Sequence, residues 1–139
     1  RMIIGYTFDS IEAKREKELQ GRVDISSTQK IVSVEEKEVV IGEKRKVLEI
    51  GFEFLVEYKE NFGSILMKGK VLYDSKDMKE ILKNWKKDQN LPQEVDMEVK
   101  NFLFKKCLTL AILIADELRL PSPLPFPMVV PKKEERYIG

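Results

Sequence analysis

The fold is decided by residues 48–58, which read Leu-Glu-Ile-Gly-Phe-Glu-Phe-Leu-Val-Glu-Tyr. Every even-numbered position in this stretch is aliphatic or aromatic, whereas most odd-numbered positions carry glutamate. Successive side chains of a β-strand point to opposite faces of a sheet. The alternation therefore predicts a strand with one face on the core and the other towards solvent.

The same period continues after a turn predicted at residues 60–63, Glu-Asn-Phe-Gly. Residues 65–73 return with apolar side chains at alternate positions, which predicts an antiparallel hairpin. Upstream, residues 3–18 and 23–41 are predicted to form two further strands. The first changes its apolar parity near Asp9, which indicates a bulge or register change. The second is rich in β-branched residues, although residues 35–37 could instead form the tip of a turn.

Downstream of these strands the apolar period lengthens to that of a helix. Met78, Ile81, Leu82 and Trp85 have the spacing of one amphipathic face, and either residue 74 or residue 75 is expected to cap this short helix. A longer helix is predicted from Pro92, in its first turn, to about residue 118. Its uncharged stretch, residues 107–115, is too short to span a membrane. This stretch is instead expected to be buried on several sides, by the sheet and by a second subunit.

The order of these elements predicts an α+β fold in a single domain over residues 1–139, with a four-stranded antiparallel sheet followed by a short and a long helix packed on one side. A proline-rich segment, residues 120–131, follows the long helix and contains five of the six prolines. Alternate prolines exclude helix and interior strand and predict a stiff, extended path. This segment either packs over the sheet edge or borders a groove for an extended polypeptide, and the two roles are compatible. Residues 132–139 are predicted to be a flexible tail.

Composition narrows the function to binding. Lys and Arg total 25 against 24 Asp and Glu, for a net charge of +1, which argues against nucleic-acid binding and against a polybasic membrane anchor. The chain contains no histidine, the commonest general base and metal ligand. It also shows no glycine-rich phosphate-binding loop. We therefore expect no catalytic residues, no metal site and no cofactor.

Composition also bears on location. The single cysteine, Cys107, cannot form an intramolecular disulfide, and the first residues contain no long apolar signal segment. Both observations predict a cytoplasmic protein without direct membrane insertion. The charged fraction of 35%, mostly Lys and Glu, is typical of proteins from hot environments.

The order of elements and the stretch Leu-Pro-Ser-Pro-Leu-Pro-Phe-Pro-Met-Val at residues 120–129 resemble the SecB-type export chaperones. In that family the long helix ends in a similar Leu/Phe-Pro-x-Leu-x-Leu-x-Pro-Val stretch. The resemblance covers residues 3–129 approximately, and the proline motif is its most specific part. It implies an ATP-independent holdase, a chaperone that binds non-native chains as extended segments, and a homotetramer built as a dimer of dimers. This chain has more prolines in the motif and a short, non-acidic end, which argues against contact with a SecA-type motor.

The residues expected to contact a bound polypeptide are Leu120, Leu124, Phe126, Met128, Phe62 and Trp85. Those expected at an oligomer interface are Cys107, Leu110, Ala111 and Ile114. The alternative hypothesis is an oligomeric interaction or assembly domain with no unfolded client, in which all surplus apolar surface is subunit interface.

Overall fold

The computed structural model of the protein describes residues 2–18 and 21–131. Within them the chain forms, in order, β1 (Met2–Arg15), β2 (Ile25–Ile41), β3 (Glu43–Tyr58), β4 (Gly63–Asp74), α1 (Met78–Asp88) and α2 (Gln93–Glu117). The strands make one sheet in the order β1-β4-β3-β2, and all neighbours are antiparallel. The predicted α+β fold is confirmed. The predicted tail lies outside the described residues.

The central hairpin of β3 and β4 supplies most of the core. The even-numbered residues 48–58 of β3 are all buried, as are the odd-numbered residues 63–73 of β4, so the predicted alternation is confirmed. Gly69 is needed for this packing, because a Cβ there would lie 2.8 Å from Phe52 Cζ and 2.2 Å from the carbonyl oxygen of Thr7. None of the buried side chains in the described part of the chain is charged.

The edge strands β1 and β2 confirm one prediction from the sequence and contradict another. A register shift in β1 between Phe8 and Ser10 confirms the predicted bulge, and a second shift lies near its start. β2 continues without a turn through residues 35–37, and the chain reverses at Gly42, which has a φ of 78°. The suggested turn at 35–37 is wrong, because these residues pair with residues 47–49 of β3. Gly42 suits the actual turn, since glycine adopts a positive φ readily.

The short helix α1 begins later than the sequence predicted. Asp74 still belongs to β4 and its carboxylate pairs with Arg45, while the Ser75 hydroxyl accepts a hydrogen bond from the backbone N–H of Asp77. Neither residue is therefore the N-cap, a position taken by Asp77 without a side-chain cap. The predicted apolar stripe is confirmed, since its side chains are buried or pack against the core.

The long helix α2 lies along the sheet on a ridge of small and medium side chains. The ridge repeats every fourth residue: Val95, Val99, Leu103, Cys107, Ala111 and Ala115. Near one end, the Tyr73 hydroxyl donates to the Glu98 carboxylate at 2.7 Å. Beyond the other end, the Tyr58 hydroxyl donates to the carbonyl oxygen of Pro121 at 2.6 Å. These tyrosines lie at opposite ends of the central hairpin, so α2 spans the length of the sheet.

Candidate functional site

The end of α2 is tightly fixed and determines where the proline-rich segment begins. Arg119 has a φ of 57°, its N–H donates to Asp116, and the N–H of Leu120 donates to Ala115. This Schellman arrangement stops the helix and turns the chain. The Arg15 guanidinium also donates to the carbonyl oxygen of Leu118 at 2.9 Å. The end of the helix is thereby attached to β1.

Leu120 closes the end of the sheet beneath this turn. Its side chain is only 5% exposed and lies against Gly63, where a Cβ would stand 3.1 Å from Leu120 Cδ2. Leu120 is therefore mainly a core residue, and the contact predicted for it with a bound polypeptide is limited to the 5% of its surface that stays exposed. Its burial follows from its place two residues after the helix end, where an apolar side chain commonly packs back on the last turn.

The next residues, 121–131, form neither helix nor strand and bend at residues 123–124; we call them the strap. Its first residue is held by Tyr58, as described above. The Ser122 hydroxyl then donates to the carbonyl oxygen of Leu124 at 2.5 Å and accepts from its N–H at 3.2 Å. This local turn leads the strap back along α2, because Phe126 lines a pocket together with Ile112.

The pocket between the strap and α2 has a volume of about 290 Å³. The described residues that line it are four apolar residues, one acid and one serine: Ile112, Leu113, Leu120, Phe126, Asp116 and Ser122. Sites for small molecules have volumes of about 300–1,000 Å³. This pocket lies at the lower end of that range and has room for a large apolar side chain.

Exposed apolar side chains continue from the pocket along the strap. The exposed fractions are 62% for Leu113, 47% for Leu124, 60% for Phe126 and 80% for Met128. We call these four residues and the pocket the strap surface. Single exposed apolar residues are normal, but several together around a pocket are typical of a binding surface. Four of the six predicted polypeptide contacts belong to the strap surface: Leu124, Phe126 and Met128 with exposed side chains, and Leu120 in the lining of the pocket.

The other two predicted contacts lie elsewhere. Phe62 is half-buried in the turn between β3 and β4, with the Lys17 ammonium 5.4 Å from its ring centre. Trp85 is half-buried on α1 and packs against the core. Neither residue lines the pocket beside α2. Phe62 and Trp85 therefore remain predictions without a place in the strap surface.

The predicted oligomer contacts divide between the core and its margin. Cys107 and Ala111 have no exposed surface and pack on the sheet, so a second subunit could not reach them, and their assignment to an interface is corrected. Burial raises the pKa of the Cys107 thiol to about 12, which makes it a poor nucleophile at neutral pH. Leu110 and Ile114 are half-buried against the core.

Sequence reasoning missed Ile112, Leu113 and Asp116, although the sequence contained a signal for them. Once Cys107 and Ala111 are placed on the sheet, positions 109, 113 and 116 fall on the opposite side of a helix with 3.6 residues per turn. Leu113 is an apolar residue on that outer side. It therefore requires another partner or remains exposed.

Other surfaces carry charged pairs together with separate exposed apolar side chains such as Tyr6 and Val40. On the sheet face away from the core, Lys37 pairs with Glu49 at 3.0 Å and Lys70 with Asp9 at 2.6 Å. The hydrogen bond that the Lys70 ammonium donates to the Asp9 carboxylate raises the pKa of Lys70. An open groove of about 1,110 Å³ at the end of the sheet is lined by similar numbers of lysines and glutamates. Within residues 2–18 and 21–131, no three Cys, Asp or Glu side chains converge as a metal site would require.

Comparison with protein-family models, with curated proteins and with solved structures gives no match for this chain. The described helices include none that combines the length and the apolarity needed to cross a membrane.

Proposed function

We propose that this protein is an ATP-independent holdase that binds extended apolar segments of non-native polypeptides on the strap surface. The observation that carries the proposal is a pocket lined by the exposed side chains of Leu113 and Phe126, with the exposed Leu124 and Met128 close by in sequence on the strap. A non-native chain exposes the residues that such a surface would cover. The SecB resemblance suggests protein export as one setting for this activity.

The size of the surface suits reversible capture. Burial of one large apolar side chain contributes about 1.5–3 kcal/mol, and four such contacts give about 6–12 kcal/mol. Association costs about 4–15 kcal/mol in lost translational and rotational freedom. The net affinity is therefore modest and can be reversed without ATP hydrolysis. Segments with several apolar residues in sequence gain most, because they occupy the pocket and the strap together.

The sheet offers a second kind of contact. β1 and β2 are the edges of the sheet, and an edge strand presents backbone N–H and C=O groups to an added strand. An extended client could pair with such an edge without a particular side-chain sequence. Backbone pairing would thus add affinity while the strap surface selects apolar segments.

The charge of the pocket also favours certain client residues on either side of the apolar residue that enters it. Asp116 is the charged side chain among the described residues that line it. When the client has Lys or Arg next to the apolar residue that enters the pocket, that cation is attracted to Asp116. When it has Asp or Glu there, Asp116 repels it. We therefore expect apolar segments flanked by basic residues to bind more tightly than segments of equal apolarity flanked by acids.

The test is suppression of aggregation. An unfolding client is mixed with the protein at equimolar subunits without ATP, and light scattering is followed. We expect scattering to fall by at least half, because captured segments are unavailable for self-association. Undiminished scattering, together with no binding of unfolded chains by fluorescence anisotropy, would reject the holdase function.

A second candidate is an assembly domain that associates only with itself. The observation in its favour is Leu113, an apolar residue on the outer face of α2 that is 62% exposed. The two functions differ in solution. Both allow the homotetramer that the SecB resemblance implies, which light scattering would detect as a mass four times that of the chain. Only the holdase changes the aggregation of an unrelated client.

A further inference from the structure

The two edge strands of the sheet differ in how far they discourage a further strand. β1 has two register shifts, and bulges of this kind disrupt the ladder that an added strand would need. β2 has a single shift, directly after Ile31, and beyond it residues 35–38 are all charged. Residues 25–31, Ile-Ser-Ser-Thr-Gln-Lys-Ile, pair with β3 without interruption and contain no proline and one charge. We call this regular stretch the β2 edge.

The backbone of the β2 edge has hydrogen-bonding groups on its open side. β2 is the last strand of the sheet, and among residues 2–18 and 21–131 no strand other than β3 pairs with it. The N–H of Lys59 donates to the carbonyl oxygen of Asp24 at 2.9 Å, so Asp24 directs its backbone groups towards β3. Successive residues of a strand alternate in this direction. The N–H and C=O groups of residues 25, 27, 29 and 31 therefore point away from β3.

One side chain of the β2 edge also lacks a partner. The side-chain oxygen of Gln29 is buried, yet it accepts no hydrogen bond from the described residues. A buried polar atom without a hydrogen bond is unfavourable and rare in folded proteins. Because Gln29 lies on an edge strand, rotation of its side chain can bring the amide group to the open side. A donor on an added strand would then satisfy it.

The β2 edge is complementary to a second copy of itself. An antiparallel arrangement with its two-fold axis at Thr28 joins residues whose backbone groups all point outward, which gives about eight backbone hydrogen bonds. On the core face it places Ile25 opposite Ile31 and Ser27 opposite Gln29, so the serine hydroxyl can donate to the unpaired oxygen. On the other face Thr28 meets its own counterpart, and Thr–Thr pairs are favourable across strands. A register shifted by two residues would instead oppose Ser27 and Ile31.

We propose that the β2 edge is a subunit interface, at which β2 of one chain pairs antiparallel with β2 of a second copy about Thr28. The two sheets become continuous, and the helices of both chains lie on the same face. This inference does not depend on the proposed function. It assigns β2 to self-association and leaves β1 and the strap surface to a client.

The first test places a cysteine on the two-fold axis. Thr28 would face its counterpart with about 4.5 Å between Cα atoms, a distance that a disulfide spans. Lys30→Cys is the matched control, since Lys30 is also exposed on the same face of β2 but would lie roughly 14 Å from its counterpart. Cys107 has no exposed surface and does not compete.

We expect mild oxidation to link Thr28→Cys chains at least tenfold faster than Lys30→Cys chains. Equal rates would mean that the chains meet only by random collision, and the interface would be rejected. If Thr28→Cys couples to an unfolded client that carries a cysteine and not to a second copy, the β2 edge binds client strands and the proposal is wrong.

The second test checks the register. Ser26 and Lys30 lie opposite each other in the proposed pairing, whereas each is distant from its own counterpart. Ser26→Cys and Lys30→Cys, carrying different tags, are therefore oxidised separately and as a mixture. We expect mixed dimers to exceed like-with-like dimers at least tenfold. Equal amounts of the two kinds would overturn the pairing about Thr28.

The third test removes an outward donor. Ser27→Pro deletes an N–H that points away from β3, a position at which edge strands tolerate proline. Circular dichroism should stay unchanged, while the mass from light scattering at micromolar concentration should fall to half that of the wild-type protein. A monomeric wild-type protein would reject the interface without bearing on the holdase, whose test is client aggregation. A folded Ser27→Pro variant with the wild-type mass would reject it equally.

Discussion

The central hairpin and the strap are both apolar, but only the hairpin has its apolar side chains covered. Phe54 in β3 has no exposed surface, whereas Phe126 in the strap is 60% exposed. The hairpin alternates apolar and polar residues, so one face can be buried against α2 while its backbone pairs with neighbouring strands. The strap alternates apolar residues with proline, which has no N–H to donate to a sheet.

The difference shows that apolarity has two uses in this chain. In the hairpin the apolar side chains are buried and the backbone is paired with neighbouring strands, so both stabilise the fold. In the strap the prolines prevent incorporation into the sheet, so the apolar side chains stay beside α2 with most of their surface exposed. Exposed apolar surface of this kind weakens solubility and is expected where a protein must bind another chain.

The largest expected difference between the two regions is in stability. Phe54→Ala should lower the free energy of unfolding by about 3–5 kcal/mol, because it leaves a cavity in the core. The same substitution in the strap, Phe126→Ala, should cost less than about 0.5 kcal/mol. Urea denaturation of both variants measures the contrast. Equal losses would mean that the strap is part of the folded core.

The next effect concerns capture of client. Leu113→Asp/Met128→Asp should weaken binding of an unfolded chain at least tenfold, about 1.4 kcal/mol, because two apolar contacts become charged. Val40→Asp is the matched control, since Val40 is 72% exposed and lies at the tip of the β2–β3 hairpin, far along the chain from the strap. If anisotropy titrations show that both variants lose equal affinity for the unfolded chain, the strap surface is not the binding site.

A smaller effect concerns the hydrogen bond that joins the central hairpin to the strap. Tyr58→Phe removes the hydrogen bond to Pro121 and should cost about 0.5–1.5 kcal/mol of unfolding free energy. Burial also raises the pKa of Tyr58 to about 12 from its usual 10. The folded protein thus retains this proton at a higher pH than the unfolded chain. The contribution is fully present below pH 10 and is lost as the pH rises through 12.

The measurement is the unfolding free energy at several values of pH between 9 and 12. The wild-type chain should lose stability more steeply than Tyr58→Phe over this range. Cys107, whose pKa burial also raises to about 12, is present in both proteins and does not affect the difference. Parallel curves for the two proteins would show that the Tyr58 hydroxyl is not buried against the start of the strap.

The smallest expected effect is at the helix end that sets the direction of the strap. Arg119 has a φ of 57°, which costs a residue with a Cβ about 1 kcal/mol or more. Arg119→Gly relieves this cost but increases the freedom of the unfolded chain. A net gain of about 0.5 kcal/mol should remain, with no gain for Arg119→Ala. Thermal unfolding of the two variants measures this difference. If both lost stability equally, Arg119 would not have the positive φ that ends α2.

The sheet was predictable because its signals are local. Alternation in β3 and β4, the change of parity near Asp9 and the turn before Gly63 each lie within a few residues, and the structure places each of them as expected. The cap of α1 was not predictable, because the carboxylate of Asp74 pairs with Arg45, which is distant in sequence. Local sequence propensity does not include an ion pair that forms only in the tertiary structure.

The candidate site was predictable only in part for a similar reason. The strap was visible as a proline-rich apolar segment, and Leu124, Phe126 and Met128 are exposed on it. Its apposition to Ile112 depends on a turn at Arg119, a residue that rarely adopts a positive φ. The strap was therefore predictable from the sequence, whereas the residues of α2 that face it across the pocket were not.

The central claim is that a non-native chain lies against the strap surface and not against any exposed apolar residue. A photoreactive amino acid is placed at Met128 in one variant and at Val40 in another, two positions that are 80% and 72% exposed. Each variant is irradiated with a radiolabelled unfolded client. We predict strong cross-links from position 128 and few from position 40. Equal cross-linking from both positions, or cross-linking from position 40 alone, would contradict the account.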